Sequence, residues 1–459
     1  MCGIAGFWSP SLTASARREA VRDMTLRLAH RGPDADGHWV PADTPVALGH
    51  RRLSILDLSA AGAQPMWSAS GRYVVTFNGE IYNFRELREL LHGLGATFRG
   101  SSDTEVLLAG FDAWGVAATL REAVGMFALA VWDIREQELV LARDRIGEKP
   151  LYYGVCGDSI VFGSELKALR RHPHWQGDID RGAVALLMRY GYVPAPHSIY
   201  SQIGKVLPGT VVTFRPRDGL VPTVATFWSA IAVARAGAAR PSTQSDEELI
   251  DELEVILRRA VSDQMVADVP LGAFLSGGLD STTVVALMQA QGRGPVRTFS
   301  IGFFDPKFEE ARHARAVAAH LRTIHTEHYI TAEESMRVID RLPSLYDEPF
   351  ADWSQIPTFL VSTLARDSVT VALTGDGGDE LFGGYDRYVG LEKIWRSLRV
   401  MPRRLRLAMA ARLDVVDRLD ARRWNPEAWR RDETSQSRRA HRLVVKSRKI
   451  ARLLRCEWR

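Results

Sequence analysis

Residues 271–281 read Leu271-Gly272-Ala273-Phe274-Leu275-Ser276-Gly277-Gly278-Leu279-Asp280-Ser281. An apolar strand-like run enters a glycine turn, and a helix is expected from about Asp280. The same alternation recurs downstream. Strand-like Val296–Gly302 precedes a helix at 309–320, a short strand spans His325–Ile330, and Val369–Leu373 is a last apolar strand. Alternating strands and helices predict an α/β, doubly wound parallel sheet. Upstream, Ser245 and Glu248 form a capping-box pair, and Ile250, Leu253, Ile256, Leu257 and Ala260 repeat at helical spacing.

The first 170 residues follow another pattern. Arg72–Phe77, Gly125–Asp133 and Glu138–Ala142 read as strands, the last two as a hairpin. Helices are expected at Asn83–His92 and from Ser102, where Ser102 and Glu105 fit a capping box. Strands with segregated helices predict an α+β layer fold. The stretch 192–245 is rich in Pro, Gly, Ser and Thr, with a hairpin expected at Gly209–Phe214 and a linker after it. The domain boundaries expected are therefore 2–215, a linker at 216–244, and 245–459.

The chain has 459 residues, 46% hydrophobic and 25% charged, which excludes a disordered chain, a collagen-like fibre and a small disulfide scaffold. No apolar run approaches the roughly 18 residues of a membrane span, and the N-terminus lacks the pattern of a signal peptide, so no membrane partner is expected. Three cysteines, Cys2, Cys156 and Cys456, argue for a reducing, cytoplasmic setting. Residues 421–459 hold 13 Lys or Arg against 4 Asp or Glu, so the net charge of +4 leaves −5 on the rest. The basic character belongs to the tail, which reads as a solvated terminus, and no nucleic-acid partner is expected.

Two places carry chemistry. Cys2 follows Met1; if Met1 is removed, one residue offers a thiol and an α-amine of ordinary pKa about 7.7–8.0 that can act as its base. Around it in sequence stand His30-Arg31-Gly32-Pro33-Asp34, Arg52-Leu53-Ser54-Ile55, Phe77-Asn78-Gly79-Glu80-Ile81-Tyr82-Asn83 and Ser102-Asp103-Thr104-Glu105. A guanidinium grips a carboxylate, two acids hold an ammonium, and an amide with a glycine N–H makes an oxyanion hole. Taken singly, these are a turn dipeptide, a first-turn acid and a surface charge. The second place is the Ser276–Ser281 turn, whose backbone N–H groups and helix N-terminus suit a phosphate. It lacks the lysine of a G-x-x-x-x-G-K-[ST] loop, so a metal must balance more charge. Thr374-Gly375-Asp376-Gly377-Gly378-Asp379-Glu380-Leu381-Phe382-Gly383-Gly384-Tyr385 packs five glycines and three acids into twelve residues after a strand.

The N-terminal motifs, with Met1-Cys2-Gly3-Ile4-Ala5-Gly6, resemble class II glutamine amidotransferases over residues 2 to about 210. The resemblance implies an N-terminal-nucleophile sandwich (αββα) in which Cys2 attacks glutamine, Asn78 and Gly79 stabilise the oxyanion, and Arg52, Asn78, Gly79, Glu80 and Asp103 bind the substrate. The Ser-Gly-Gly-Leu-Asp-Ser turn resembles the ATP-pyrophosphatase loop. With Thr374–Glu380 and Tyr346-Asp347-Glu348-Pro349, it resembles the synthetase half of glutamine-hydrolysing asparagine synthetases. That implies ATP contacts at Leu275, Ser276, Gly277, Gly278, Asp280, Ser281, Ile301, Thr374 and Gly375, and Mg²⁺ ligands at Asp280 and Asp379. Asp376 falls where the family has an acid, often Glu, tied to acyl-adenylate formation. Asp352–Thr358 falls where relatives bind the acceptor carboxylate, aspartate in the leading reading. The resemblance implies a sealed path for ammonia and allows a homodimer.

No family motif is legible after about Arg423, where relatives carry a further Lys-bearing segment, so a C-terminally shortened synthetase half is expected. Two alternatives stay open: a paralogue that amidates another carboxylate, and a glutaminase-only or regulatory protein. His172 and His174 read as loop histidines, His325 and His328 as flanking a strand, Cys156 as a core or turn thiol, and the tryptophans as packing.

Overall fold

A computed structural model describes residues 1–412, apart from 216, 218, 293, 307 and 308. The basic tail and Cys456 lie outside the described residues. The chain divides into two compact units, Met1–Gly375 and Asp376–Arg459.

The first unit opens with β1 (Gly3–Trp8), β2 (Ala35–Trp39), β3 (Val46–Arg52), β4 (Met66–Trp67), β5 (Tyr73–Ile81) and β6 (Gly125–Asp133). It continues with β7 (Glu138–Arg143), β8 (Tyr152–Cys156), β9 (Ser159–Gly163), β10 (Ile203–Lys205), β11 (Thr210–Phe214) and β12 (Thr223–Thr226). These strands form two six-stranded antiparallel sheets, ordered β10-β8-β9-β1-β3-β2 and β12-β11-β7-β6-β5-β4. The period of two along β6 shows why they stack. Phe127, Leu129 and Val131 face the helices Phe84–Gly93 and Asp103–Trp114. Ala128, Ala130 and Trp132 face the other sheet, where they meet Ile4, Leu48 and Phe162. The helix Ala14–Leu26 covers the outer face of the first sheet through Val21 and Met24, against Ala5 and Phe7. The result is an αββα sandwich.

Four strands follow: β13 (Leu271–Phe274), β14 (Arg297–Phe303), β15 (Ile324–Ile330) and β16 (Val371–Leu373). They pair in parallel, ordered β15-β14-β13-β16. Helices Asp246–Gln264, Leu279–Gln291 and Ala311–Leu321 pack on one face through Val261, Val285, Met288 and Ala318. The helix Gln355–Arg366 packs on the other through Ala365. This is the doubly wound sheet expected. The strand order reverses between β13 and β16, the place where such sheets open a ligand crevice.

Three local expectations differ. Ser102 accepts from Glu105 N at 3.3 Å, but the Glu105 carboxylate turns to the N–H groups of Arg99 and Gly100, at 2.6 and 2.9 Å, so the box is half formed. At Ser245 and Glu248 both halves form. Gly209–Phe214 holds one strand, β11, whose hairpin partner is β12, and a helix Ala230–Ala239 follows. The stretch 216–244 is thus not featureless. His325 and His328 lie within β15, on opposite faces by its period of two.

In the second unit, the short helix Gly378–Phe382 lies between Gly377 and Gly383, both with positive φ, and the helix Asp386–Arg399 follows.

One buried acid braces the turn after β7. Asp144 is fully buried and accepts from the N–H groups of Ile146, Gly147 and Glu148 at 3.2, 2.6 and 2.9 Å through Oδ1. Through Oδ2 it accepts from Phe127 and Lys149, at 3.1 and 3.0 Å. Asp144→Ala removes the acceptor of five backbone N–H groups, of which those of Phe127 and Lys149 are buried. It is expected to lower unfolding free energy by at least about 3 kcal/mol, read as a lower urea midpoint with little change in slope.

Candidate active site

The register of the first sheet sets the site. β1 pairs with β3 so that Gly3 opposes Arg51, which brings Cys2 beside Arg52 and Leu53. β5 in the other sheet carries Asn78, Gly79 and Glu80 among its last four residues. A pocket at this end of the sandwich is lined by Met1, Cys2, Arg52, Asn78, Gly79, Glu80, Asp103 and Lys149, among others. These eight residues come from five separate stretches of the chain.

The Cys2 thiol donates to the Leu53 carbonyl at 3.6 Å and accepts from the Leu53 N–H at 3.4 Å. Burial pushes it above the ordinary thiol range, so it needs a base to become a nucleophile. His50 lies nearby in sequence but is buried, and its Nε2 lies 3.1 Å from the Phe77 carbonyl. Burial pushes that imidazole down to about 3, and it stays neutral. The amino group at the pocket wall, that of Met1, is pushed down to about 6, chiefly by burial. An amine so enclosed is unprotonated at neutral pH, as a general base must be.

Asn78 is 1% exposed, yet neither its Nδ2 nor its Oδ1 has a hydrogen-bond partner, and the same holds for Oε1 of buried Glu80. Buried polar atoms left unpaired in a pocket are ready for a ligand. Glu80 is raised to about 7, first by burial and then by the charge of Asp103, against the pull of Lys149. Asp103, in the first turn of its helix, accepts from Ile81 N at 2.8 Å, and burial still lifts it to about 6. Two carboxylates held this high gain from a bound cation. Arg52 gives one N–H to the Ser59 carbonyl at 2.9 Å and another to that of Asp57. Of the five donors on a guanidinium, others remain for a carboxylate.

Sequence reasoning missed Lys149 and Gln64. Lys149 is buried on the turn that Asp144 braces, and burial lowers its ammonium. Gln64 accepts from Phe77 N at 2.7 Å and donates to Thr104 at 3.3 Å, both facing the pocket. The available signal was the polar turn Asp144–Pro150 between two strands, with acid, glycine and lysine together.

The second place lies at the switch point of the parallel sheet. Leu271 and Ala273 of β13 pair in register with Val371 and Leu373 of β16, so the segments that leave the two strands run side by side. Gly277 has φ +80°, and a Cβ there would sit 2.7 Å from the Ala314 N. At Gly375 a Cβ would sit 2.6 Å from the Ser281 N. Gly277 thus lets the turn pack against the start of the helix Ala311–Leu321, and Gly375 lets the end of β16 approach the first turn of Leu279–Gln291. Ser276 and Ser281 share a hydrogen bond at 2.9 Å, and Gly278 N donates to Ser276 Oγ at 3.3 Å. Asp280 is half-buried in the first turn, Leu275 is buried at the end of β13, and Ile301 lies in β14. Asp376 and Asp379 belong to the second unit, where Gly384 N donates to the Asp379 carbonyl at 3.1 Å. Among the described residues no three His, Cys, Asp or Glu side chains gather as a metal site. His172 is buried edge-on to Phe7, and His174 lies 3.1 Å from Asp158. Cys156 is buried, and its thiol is pushed up to about 11. No helix among the described residues is long and apolar enough to cross a membrane.

A glutamine amidotransferase domain matches residues 1–228, and the asparagine synthase family matches residues 252–456. The second match runs past Arg423, where no motif is legible by eye. A Methanocaldococcus jannaschii relative, named within the glutamine-hydrolysing asparagine synthetases, is 34% identical over 88% of this chain and 81% of its own length. The chain belongs to the glutamine-hydrolysing asparagine synthetase family. Asparagine synthetase [glutamine-hydrolyzing] 1 of Bacillus subtilis is 38% identical over 84% of this chain, which spans 59% of that relative. Among solved structures, the glutamine phosphoribosylpyrophosphate amidotransferase of B. subtilis overlaps 74% of this chain and 70% of its own, at 16% identity and a TM-score of 0.37.

The acid pair predicts a pH dependence. An α-ammonium needs Glu80 and Asp103 ionised, and their raised values make that incomplete below about pH 7 and 6. Affinity for an α-amino acid such as glutamine is expected to rise from pH 5.5 to 7.5, with proton release on binding. Titration calorimetry in buffers of different ionisation enthalpy checks it. A flat profile would show that the pair is already charged.

Proposed function

We propose that this chain is a glutamine-dependent asparagine synthetase, with glutaminase chemistry in residues 2–215, synthetase chemistry in 245–459 and the stretch 216–244 between them. The observation that supports it most is the unpaired Asn78 amide and Glu80 oxygen, buried in one pocket with Cys2, in a chain of this family.

In this reading the thiol of Cys2 attacks the carboxamide carbon of glutamine. Its proton passes to an amine in the position that Met1 occupies, which would be the amine of Cys2 itself once Met1 is removed. The Asn78 Nδ2 and Gly79 N–H hold the oxyanion. The C–N bond breaks as ammonia leaves with the transferred proton, and water hydrolyses the thioester to glutamate. Arg52 holds the α-carboxylate; Glu80 and Asp103 hold the α-ammonium.

The glycine turn Ser276–Gly278, with Leu275, Asp280, Ser281, Ile301, Thr374 and Gly375, would hold ATP. A glycine turn that leads into a helix N-terminus suits a phosphate. Mg²⁺ needs only one or two carboxylates beside phosphate oxygens, and Asp280 and Asp379 suit that role. When bound, it would neutralise charge on the pyrophosphate. The carboxylate of aspartate attacks the α-phosphorus and releases pyrophosphate, with Asp376 tied to this step. Ammonia then attacks the acyl carbon, AMP leaves, and asparagine forms. A cavity of about 500 Å³ bordered by Met1 and Leu53 on the Cys2 side and by Phe274, Val371 and Ala372 on the sheet side supports a path for ammonia. Such a path keeps ammonia close and effectively concentrated.

Incubation with glutamine, Mg·ATP and aspartate is expected to yield glutamate, asparagine, AMP and pyrophosphate together. Cys2→Ala is expected to lose the glutamine-driven reaction and keep AMP formation driven by ammonia. Glutamate without AMP would overturn the synthetase assignment. AMP with another acceptor, but not with aspartate, would overturn the substrate.

A further inference from the structure

Two neighbouring carboxylates, Asp347 and Glu348, reach from the parallel-sheet half into the sandwich, and they end differently. Glu348 meets Lys205 at 2.6 Å, accepts from Ile199 N at 2.7 Å and from the Tyr152 hydroxyl at 3.4 Å. None of these contacts leads to the pocket.

Asp347 starts a chain that does. Its Oδ1 lies 3.3 Å from the Lys167 ammonium, and its Oδ2 accepts from Lys167 N at 3.3 Å. The same ammonium lies 2.5 Å from Glu165 Oε2. Glu165 Oε1 accepts from Arg31 at 2.8 Å, and Arg31 Nε donates to the carbonyl oxygen of Cys2 at 2.9 Å. No side chain in the relay is more than 19% exposed. Charges alternate along it, so removing one end rebalances every contact that follows.

The two acids are not equivalent. Burial raises Glu165, but His30, Arg31 and Lys167 more than reverse it and hold it at about 2. Burial also raises Asp347, and its shared lysine only partly offsets that. Asp347 is therefore the weakly held end. The 500 Å³ cavity borders Arg31 and Glu165, which leaves these side chains room to shift.

We propose that Lys167 and Asp347 are positioning residues for Cys2, setting its carbonyl and hence its thiol through Glu165 and Arg31. The nucleophile then responds to the segment that starts at Tyr346 and runs into the helix Gln355–Arg366. This rests on reading Cys2 as the glutaminase nucleophile. Docking of the two halves does not account for the relay, because Glu348 has three anchors of its own beside it.

The test measures glutamate formation by the full chain at varied glutamine, with melting temperature alongside. A thiol moved slightly out of line loses turnover rather than binding, since Arg52, Glu80 and Asp103 grip the substrate separately. Asp347→Asn and Lys167→Met are expected to lower kcat about tenfold, with KM for glutamine nearly unchanged. Lys167→Arg is expected to restore most of the loss. Glu348→Gln is expected to lower the melting temperature and leave kcat alone. In an Arg31→Lys background, Asp347→Asn is expected to add little, because both act on one relay. Wild-type kcat in Asp347→Asn would overturn the proposal, and so would an equal loss in Glu348→Gln. A wild-type chain that hydrolyses no glutamine would instead overturn the glutaminase reading itself.

Discussion

The pocket around Cys2 depends on two sheets being held face to face by apolar side chains. Cys2 precedes β1 in one sheet; Asn78, Gly79 and Glu80 lie near the end of β5 in the other. Their separation is set by Ile4, Leu48 and Phe162 packing against Val74, Ala128 and Trp132. No covalent link ties the two strand ends. A well-packed interior resists changes of even one methylene, so the layer spacing acts as the ruler of the site. The polar atoms at the rim can stay unpaired because that packing makes up their cost elsewhere.

The same logic explains what was legible in the sequence. Gly125–Asp133 was readable because both its faces are buried and every residue reports it. Ser245 and Glu248 were readable because a capping box is local. Cys2, Asn78 and Asp103 stood out through motifs, since each carries a residue type with a specific chemical use. Lys149 did not, because what makes it part of the site is Asp144 gathering five N–H groups around a turn. Gln64 is similar: its role is visible only once Phe77 and Thr104 are its neighbours. Glu105 shows the opposite error. Its spacing from Ser102 is right, but the N–H groups of Arg99 and Gly100 compete for its carboxylate and win.

In the parallel sheet, the strand order carries information that the βα alternation did not. Alternation predicts the layers but not which strands are neighbours. Finding β13 beside β16 places the segments after both strands at one reversal point, although nearly a hundred residues separate them. The glycine turn at Ser276–Gly278 and the start of the glycine-rich stretch at Thr374–Gly375 then leave neighbouring strands side by side. A Cβ at Gly375 would collide with the Ser281 backbone, so the approach is close enough to exclude any larger residue.

Where the halves meet, the chain uses charge instead of grease. Lys167, Lys205, Asp347 and Glu348 are all largely buried there. Burying ions costs desolvation, and apolar packing of the same volume often gives equal or greater stability. A contact made this way is therefore not explained by adhesion alone. It does supply direction: an ammonium between two carboxylates fixes one register, where an apolar patch would tolerate several. It also transmits, because displacing Asp347 changes what Lys167 offers Glu165, and so what Glu165 asks of Arg31. Among the described contacts, this alternating row of charges is a physical connection that ends on the backbone of Cys2.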